Sequence, residues 1–169
     1  MFPFLKTPDD VFIIAEVGQN HNGDLDMARE YVRVFSQCGA DAIKFQCRNN
    51  RYLFSETAFN QKYNSENAFG ETYGEHRENL ELSLKELKIL KEDCHAHGVK
   101  FMCTPFDEPS LEALLEIGID CLKISSFDLG NIPFINKIAN TGIPIVLSTG
   151  GGLNEQIVSS VDEILQFHN

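Results

Sequence analysis

Positive charge is scarce in this sequence: 14 Lys and Arg face 25 Asp and Glu over 169 residues, giving a formal net charge of -11 and a pI near 4.8. That balance argues against unaided binding to nucleic acid or to an anionic membrane, because phosphates reward clustered Lys and Arg. No stretch approaches the apolar length of a membrane span. Residues 1–10 include Lys6, Asp9 and Asp10 and are too short and too charged for a secretory hydrophobic region. The five cysteines, Cys38, Cys47, Cys94, Cys103 and Cys121, form an odd set with no CxxC pair. They are expected to be reduced, packed thiols of a cytoplasmic protein. No Cys/His cluster has zinc spacing, and no residue is assigned as a metal ligand. His95 and His97 lie two apart near a helix end and point in different directions. His21 and His76 fall in loops where solvent exposure is the default, and His168 is terminal and expected to fray.

What is present is a regular alternation. Of the 169 residues, 43% are hydrophobic, enough for a real core in one globular unit. Short apolar runs rich in Val, Ile and Phe alternate with segments at helical spacing, the mark of repeated βα units around a parallel sheet. The strands are expected at Val11–Glu16, Asp41–Gln46, Val99–Thr104, Cys121–Ser125 and Pro144–Ser148, each nearly continuous in apolar character because both faces are covered.

The helices carry start and stop signals. Asp24 caps the first, whose apolar face is Leu25, Ala28, Tyr31, Val32, Phe35 and Cys38, and Gly39 ends it. Ser83 and Glu86 form a capping box ahead of Leu84, Leu87, Leu90 and Cys94, with Gly98 as the stop. A short third helix starts near Pro109 and ends at Gly118, and a fourth opens at Asn131 and closes at Gly142. The fifth runs from Asn154 to Phe167 with Ile157, Val158, Val161, Ile164 and Leu165 as its buried stripe. Between Cys47 and Leu82 lies a polar and aromatic connection without a clear period, and loops that long inside compact domains are usually functional or mobile.

Polar side chains gather at the C-terminal ends of all the expected strands: Glu16; Lys44 and Gln46; Thr104; Lys123, Ser125 and Ser126; Ser148 and Thr149. Active sites of βα barrels are built on that rim. A lysine in a strand covered on both faces is costly unless its ammonium meets an anion, so Lys44 and Lys123 suggest a shared anionic ligand. Lys44 and Gln46 are two apart and point to the same side. The alternative is that the lysines reach the rim or pair with Glu16 and Asp128 as a plain salt-bridge layer. Ser148, Thr149 and Gly150 to Gly152 offer hydroxyls and backbone amides suited to phosphate. Ala15 to Asp24 reads equally as an Asx-rich turn, but Glu16 beside lysines is a natural acid, base or electrostatic partner.

The segments AEVGQNHNGD, GADAIKFQ, TYGEHRENLELS, CTPFDEPSLEAL, LKISSFDLGNIPFI and IPIVLSTGGGLNEQI, in that order, resemble successive signatures of the sialic acid synthase family and its pseudaminate and legionaminate relatives. The resemblance implies an α/β fold of the parallel (β/α) TIM-barrel type. It implies condensation of phosphoenolpyruvate with an N-acylated amino sugar such as N-acetylmannosamine, with release of phosphate, and it implies a divalent metal, Mn or Mg. By motif, Lys44, Thr104, Lys123, Ser126 and Ser148 resemble the phosphoenolpyruvate-binding set, Glu16 the essential carboxylate, and Gln46 a contact to the amino sugar. Asp128 stands where relatives often carry Glu, and His76 and Arg77 belong to a matching rim motif without an assigned step.

A closed barrel of this type takes about 250 residues and eight units, so residues 1–169 are expected to form an incomplete barrel of about five βα units. The metal-binding histidines and the antifreeze-like C-terminal domain of the relatives are expected to be absent. The expected partners are the small-molecule substrates and, through open barrel edges, a second copy or another chain. Two other readings stay open: a remnant that binds a phosphorylated ligand, and another phosphoenolpyruvate aldol synthase.

Overall fold

The computed structural model describes residues 3–5, 7 and 9–167. In chain order the elements are β1 (Ile14–Gly18), α1 (Leu25–Gln37), β2 (Ala42–Cys47), α2 (Asn50–Leu53), α3 (Glu56–Phe59), α4 (Tyr73–Glu78), α5 (Leu84–Ala96), β3 (Lys100–Pro105), α6 (Glu108–Ile117) and β4 (Cys121–Ile124). A 3₁₀ turn (Ser126–Asp128), α7 (Ile132–Ala139), β5 (Ile145–Leu147) and α8 (Asn154–Leu165) follow. The strands are all parallel in the order β1-β2-β3-β4-β5, so each strand pairs with the one before it. This is the topology of consecutive units in a (β/α) barrel, with β1 and β5 at open edges among the described residues.

Strand periodicity divides the side chains into two sets. Ile43 and Phe45 of β2, Phe101 and Cys103 of β3, and Leu122 and Ile124 of β4 face the helices and join Val32, Leu87, Leu90, Leu114, Ile135 and Ile138 in the main core. Phe45 and Phe101 are fully buried and stack with centroids 5.8 Å apart. Burying an aliphatic or aromatic side chain of this kind contributes about 1.5–3 kcal/mol. On the opposite face Ala42, Met102 and Cys121 form a smaller apolar cluster, flanked by Phe4, Phe12, Ile14 and Val146. Two residues further along these same strands, on that same face, come Glu16, Lys44, Thr104, Lys123 and Ser148. The inner face therefore changes from apolar to polar toward the C-terminal ends of the strands.

Most helix signals act as expected. Asp24 accepts a hydrogen bond from the Met27 amide at 2.9 Å, and Ser83 and Glu86 form a reciprocal capping box. Gly39, Gly98, Gly118 and Gly142 all have positive φ just beyond helix ends.

Several expectations are corrected. β1 starts at Ile14 rather than Val11, because the sheet register begins at Ile14 opposite Ala42 and Val11 is left 80% exposed. Cys38 is exposed: it caps the C-terminus of α1, beyond the last turn that packs on the sheet. On α8 only part of the expected stripe is covered. The helix packs on α7, where Asn136 donates to Glu163, and Val158, Val161 and Leu165 remain exposed. The connection from Cys47 to Leu82 is not irregular throughout, since it holds α2, α3 and α4, capped by Asn49, Ser55 and Thr72. His21 and His76 are buried rather than exposed. His21 sits against Phe45 and its Nδ1 accepts from the Gly23 amide, and burial lowers its pKa. His76 stacks on Tyr63 and its Nδ1 accepts from the Phe69 amide. His168 lies outside the described residues. Among the described residues no helix is long and apolar enough to cross a membrane.

Candidate functional site

Three parallel strands bring Glu16, Lys44 and Thr104 together: Glu16 is in register with Lys44, and Thr104 with Gln46. The Lys44 ammonium, on a residue only 9% exposed, pairs with the Glu16 carboxylate and donates to Thr104 Oγ1 at 3.4 Å. The Glu16–Lys44 half of the salt-bridge alternative is therefore real. The other half is not: Lys123 Nζ donates to the Ile124 carbonyl at 2.8 Å, while Asp128 accepts from the Ser125 hydroxyl at 2.6 Å. The 3₁₀ turn explains this, because it folds Asp128 back onto the end of β4. Burial first, and then the charge of Lys44, draws the Lys123 pKa below the ordinary lysine value.

Glycines mark the closest approaches. A Cβ on Gly18, whose φ is +59° in the bulge that ends β1, would lie 3.0 Å from Glu16 Oε1 and 3.3 Å from Gln46 Nε2. Glu16 and Gln46 thus flank one small volume. A Cβ on Gly150 would lie 3.7 Å from Ser126 Cβ and 3.9 Å from both the Ser126 and Ser148 hydroxyls. The two serines and the glycine turn after β5 therefore share a second small volume.

Beside these residues lies a polar network that strand-end reasoning missed. Arg48 donates to Gln46 Oε1 at 2.6 Å and to Glu81 Oε1 at 3.3 Å, and its guanidinium lies 3.7 Å from the centre of the Phe106 ring. Gln19 bridges Glu81 (2.5 Å) and Arg77 (2.7 Å). Burial pulls the Arg48 pKa down and pushes the Glu81 pKa up, each against the effect of its partner's charge. Gln19, Arg77 and Glu81 all lie in segments that resemble family signatures, which was the available signal. Arg48 had none.

The NeuB family model matches residues 31–169. This chain belongs to the NeuB family. It is 40% identical over 139 residues to N-acetylneuraminate-9-phosphate synthase of Mus musculus, a match covering 82% of this chain and 39% of that protein. It is 36% identical over 158 residues to N,N'-diacetyllegionaminic acid synthase of Legionella pneumophila, covering 93% of this chain and 44% of the relative. A crystal structure of N-acetylneuraminic acid (sialic acid) synthetase from Leptospira borgpetersenii serovar Hardjo-bovis, in complex with citrate, superposes with a TM-score of 0.78 at 34% identity, over 94% of this chain and 51% of that one. The chain thus spans less than half the length of the two curated relatives.

Proposed function

We propose that this NeuB-family segment carries the phosphoenolpyruvate side of a nonulosonic acid synthase site, in which phosphoenolpyruvate condenses with an N-acylated amino sugar such as N-acetylmannosamine. The observation that carries the reading is the electrostatic imbalance at the strand ends. Lys44 and Lys123 stand close enough for one to depress the pKa of the other, and Glu16 is the carboxylate paired between strands. Lys44 has a carboxylate partner, but the Lys123 ammonium meets the Ile124 carbonyl instead of a carboxylate, which leaves a charge that a phosphate or carboxylate group would satisfy. Thr104, Ser126 and Ser148 supply hydroxyls, and Gly150 leaves room for an oxyanion beside the last two. Asp128, on the turn that carries Ser126, is assigned to the substrate as well.

In this reaction the methylene carbon of phosphoenolpyruvate bonds to the sugar aldehyde carbon, whose oxygen takes a proton and becomes a hydroxyl. Water adds to the resulting oxocarbenium carbon. The carbon–oxygen bond to phosphate then breaks, and the added hydroxyl loses its proton to become the keto group. Lys44 and Lys123 hold the phosphate and carboxylate through these steps, and Glu16 faces the developing cation and takes the proton of the incoming water. Gln46, on the Gly18 side, faces the amino sugar. Among the described residues no three His, Cys, Asp or Glu side chains converge as a metal-binding group. The divalent ion implied by the family does not fit the residues of this segment, and no step is assigned to it. We further assign residues 1–169 to a single partial barrel domain.

Calorimetry with phosphoenolpyruvate tests the reading. Lys44→Ala and Lys123→Ala are each expected to weaken binding about tenfold, equivalent to about 1.4 kcal/mol, with the fold retained by circular dichroism. Unchanged affinity in both variants would overturn it. Phosphate release from phosphoenolpyruvate plus N-acetylmannosamine, with and without manganese, then separates catalysis from binding alone.

A further inference from the structure

Arg48 has no place in the steps above, yet it is among the most constrained polar side chains of the molecule. Its backbone N–H and its guanidinium both donate to Glu81, at 3.2 and 3.3 Å. The guanidinium carbon lies over the Phe106 ring, and its other terminal nitrogen reaches Gln46 Oε1 at 2.6 Å. We infer that Arg48, clamped by Glu81, is a positioning residue that fixes the Gln46 side-chain amide with its NH₂ group turned toward Glu16.

Donor inventory sets the direction. A guanidinium carries only donors, so the Gln46 atom that meets it is the carbonyl oxygen, and the NH₂ group points the other way. That other way is toward Gly18, where a Cβ would lie 3.3 Å from Gln46 Nε2 and 3.0 Å from Glu16 Oε1. Without Arg48 the amide could turn over and present an acceptor beside the Glu16 carboxylate, which itself only accepts. With Arg48 in place, the volume between Glu16 and Gln46 offers an N–H donor to a carbonyl or hydroxyl oxygen.

Glu81 and Gln19 extend the restraint. Glu81 accepts from Arg48 and Gln19, and Gln19 in turn accepts from Arg77 on α4. The hydrogen bonds run Arg77 to Gln19 to Glu81, and Arg48 to both Glu81 and Gln46. This links the turn after β1, the long connection and the end of β2. Stability alone is a weak reason for such an arrangement. The Arg48 and Glu81 side chains are only 11% and 13% exposed, and Arg77 Nε is buried with no hydrogen-bond partner. Buried ion pairs of this kind are often no better for stability than apolar residues of similar volume. Restraint of one rotatable amide gives the network a use that apolar packing would not supply.

The consequence for the amino sugar rests on the reading of Gln46 in the proposed function, whereas the positioning itself does not. Two measurements on the full chain keep them apart. The first is ligand-free: ¹⁵N spectra of the Gln46 side-chain amide in wild type, Arg48→Ala and Arg48→Lys. Arg48→Lys keeps a charge for Glu81, and so the fold, but lacks the planar fork needed to serve Glu81 and Gln46 together. Both variants are expected to shift or broaden the Gln46 NH₂ signals, and an unchanged pair of signals in Arg48→Lys overturns the inference. The second is calorimetry with N-acetylmannosamine and with phosphoenolpyruvate on Arg48→Lys, Gln46→Ala and the double variant. We expect a five- to tenfold loss of amino-sugar affinity in Arg48→Lys, no further loss in the double variant beyond Gln46→Ala, and phosphoenolpyruvate affinity within about twofold of wild type. Multiplying losses, or an equal loss of phosphoenolpyruvate affinity, would mean a general structural role and overturn the inference. A wild-type chain that binds no amino sugar while its Gln46 amide still depends on Arg48 supports the positioning and counts against the proposed function.

Discussion

Lys123 lies next to the end of β4 with its ammonium against the Ile124 carbonyl, partly buried and within the field of Lys44. Both influences disfavour its charged form, so it loses its proton at lower pH than an exposed lysine. The sign is fixed: the cationic form persists below the depressed pKa and is lost as pH rises through it. In ¹³C-detected titrations, Lys123 is therefore expected to lose its proton below the ordinary lysine value, and Lys44→Ala should move it back upward. Titration of Lys123 at the ordinary lysine value would refute this. Lys44 and Lys123 were legible in the sequence because a charge inside an apolar strand demands a partner. The Lys44 partner was legible too, since Glu16 ends the neighbouring strand. Asp128 misled, because the 3₁₀ turn that carries it back to Ser125 leaves no periodic trace. Arg48 and Glu81 were not legible as a pair: they lie far apart in sequence, at opposite ends of a stretch without a period.

At the scale of elements, the long connection between β2 and α5 depends on close packing of two very short helices. Gly74 on α4 faces the Phe59 ring of α3, and a Cβ there would overlap that ring. Gly74→Ala is expected to cost about 1–3 kcal/mol through overpacking, read as a lower urea midpoint, and to speed proteolytic nicking between residues 50 and 80. Wild-type behaviour in both assays would show that the helices separate freely. The longer helices announced themselves through caps and apolar spacing, as Asp24 and the Ser83–Glu86 box of the 13-residue α1 and α5 illustrate. The four-residue helices α2 and α3 are too short to display a period. Only their caps, Asn49 and Ser55, were available as signals, and Ser and Asn in a polar stretch fit a turn equally well.

For the whole molecule, the five-strand parallel topology was the most legible feature, because each unit repeats the same apolar run, turn and amphipathic helix. Less legible was how much of the outermost unit stays open. Val158, Val161 and Leu165 of α8 are exposed, and β1 and β5 each have one unpaired side among the described residues. Unpaired strand edges of this sort favour pairing with further strands. Sedimentation equilibrium over rising concentration is expected to give a mass above that of the monomer, reduced by Val158→Glu. A strictly monomeric chain at every concentration would rule out such pairing. The strand order has another consequence, for synthesis. Because β2 to β5 each pair with the strand made just before, none of these four pairings waits for a strand made later. Glu16, Lys44 and Thr104 lie on three strands made in succession, and Lys123 lies on the fourth. The order of the site residues across the sheet is therefore the order of their synthesis.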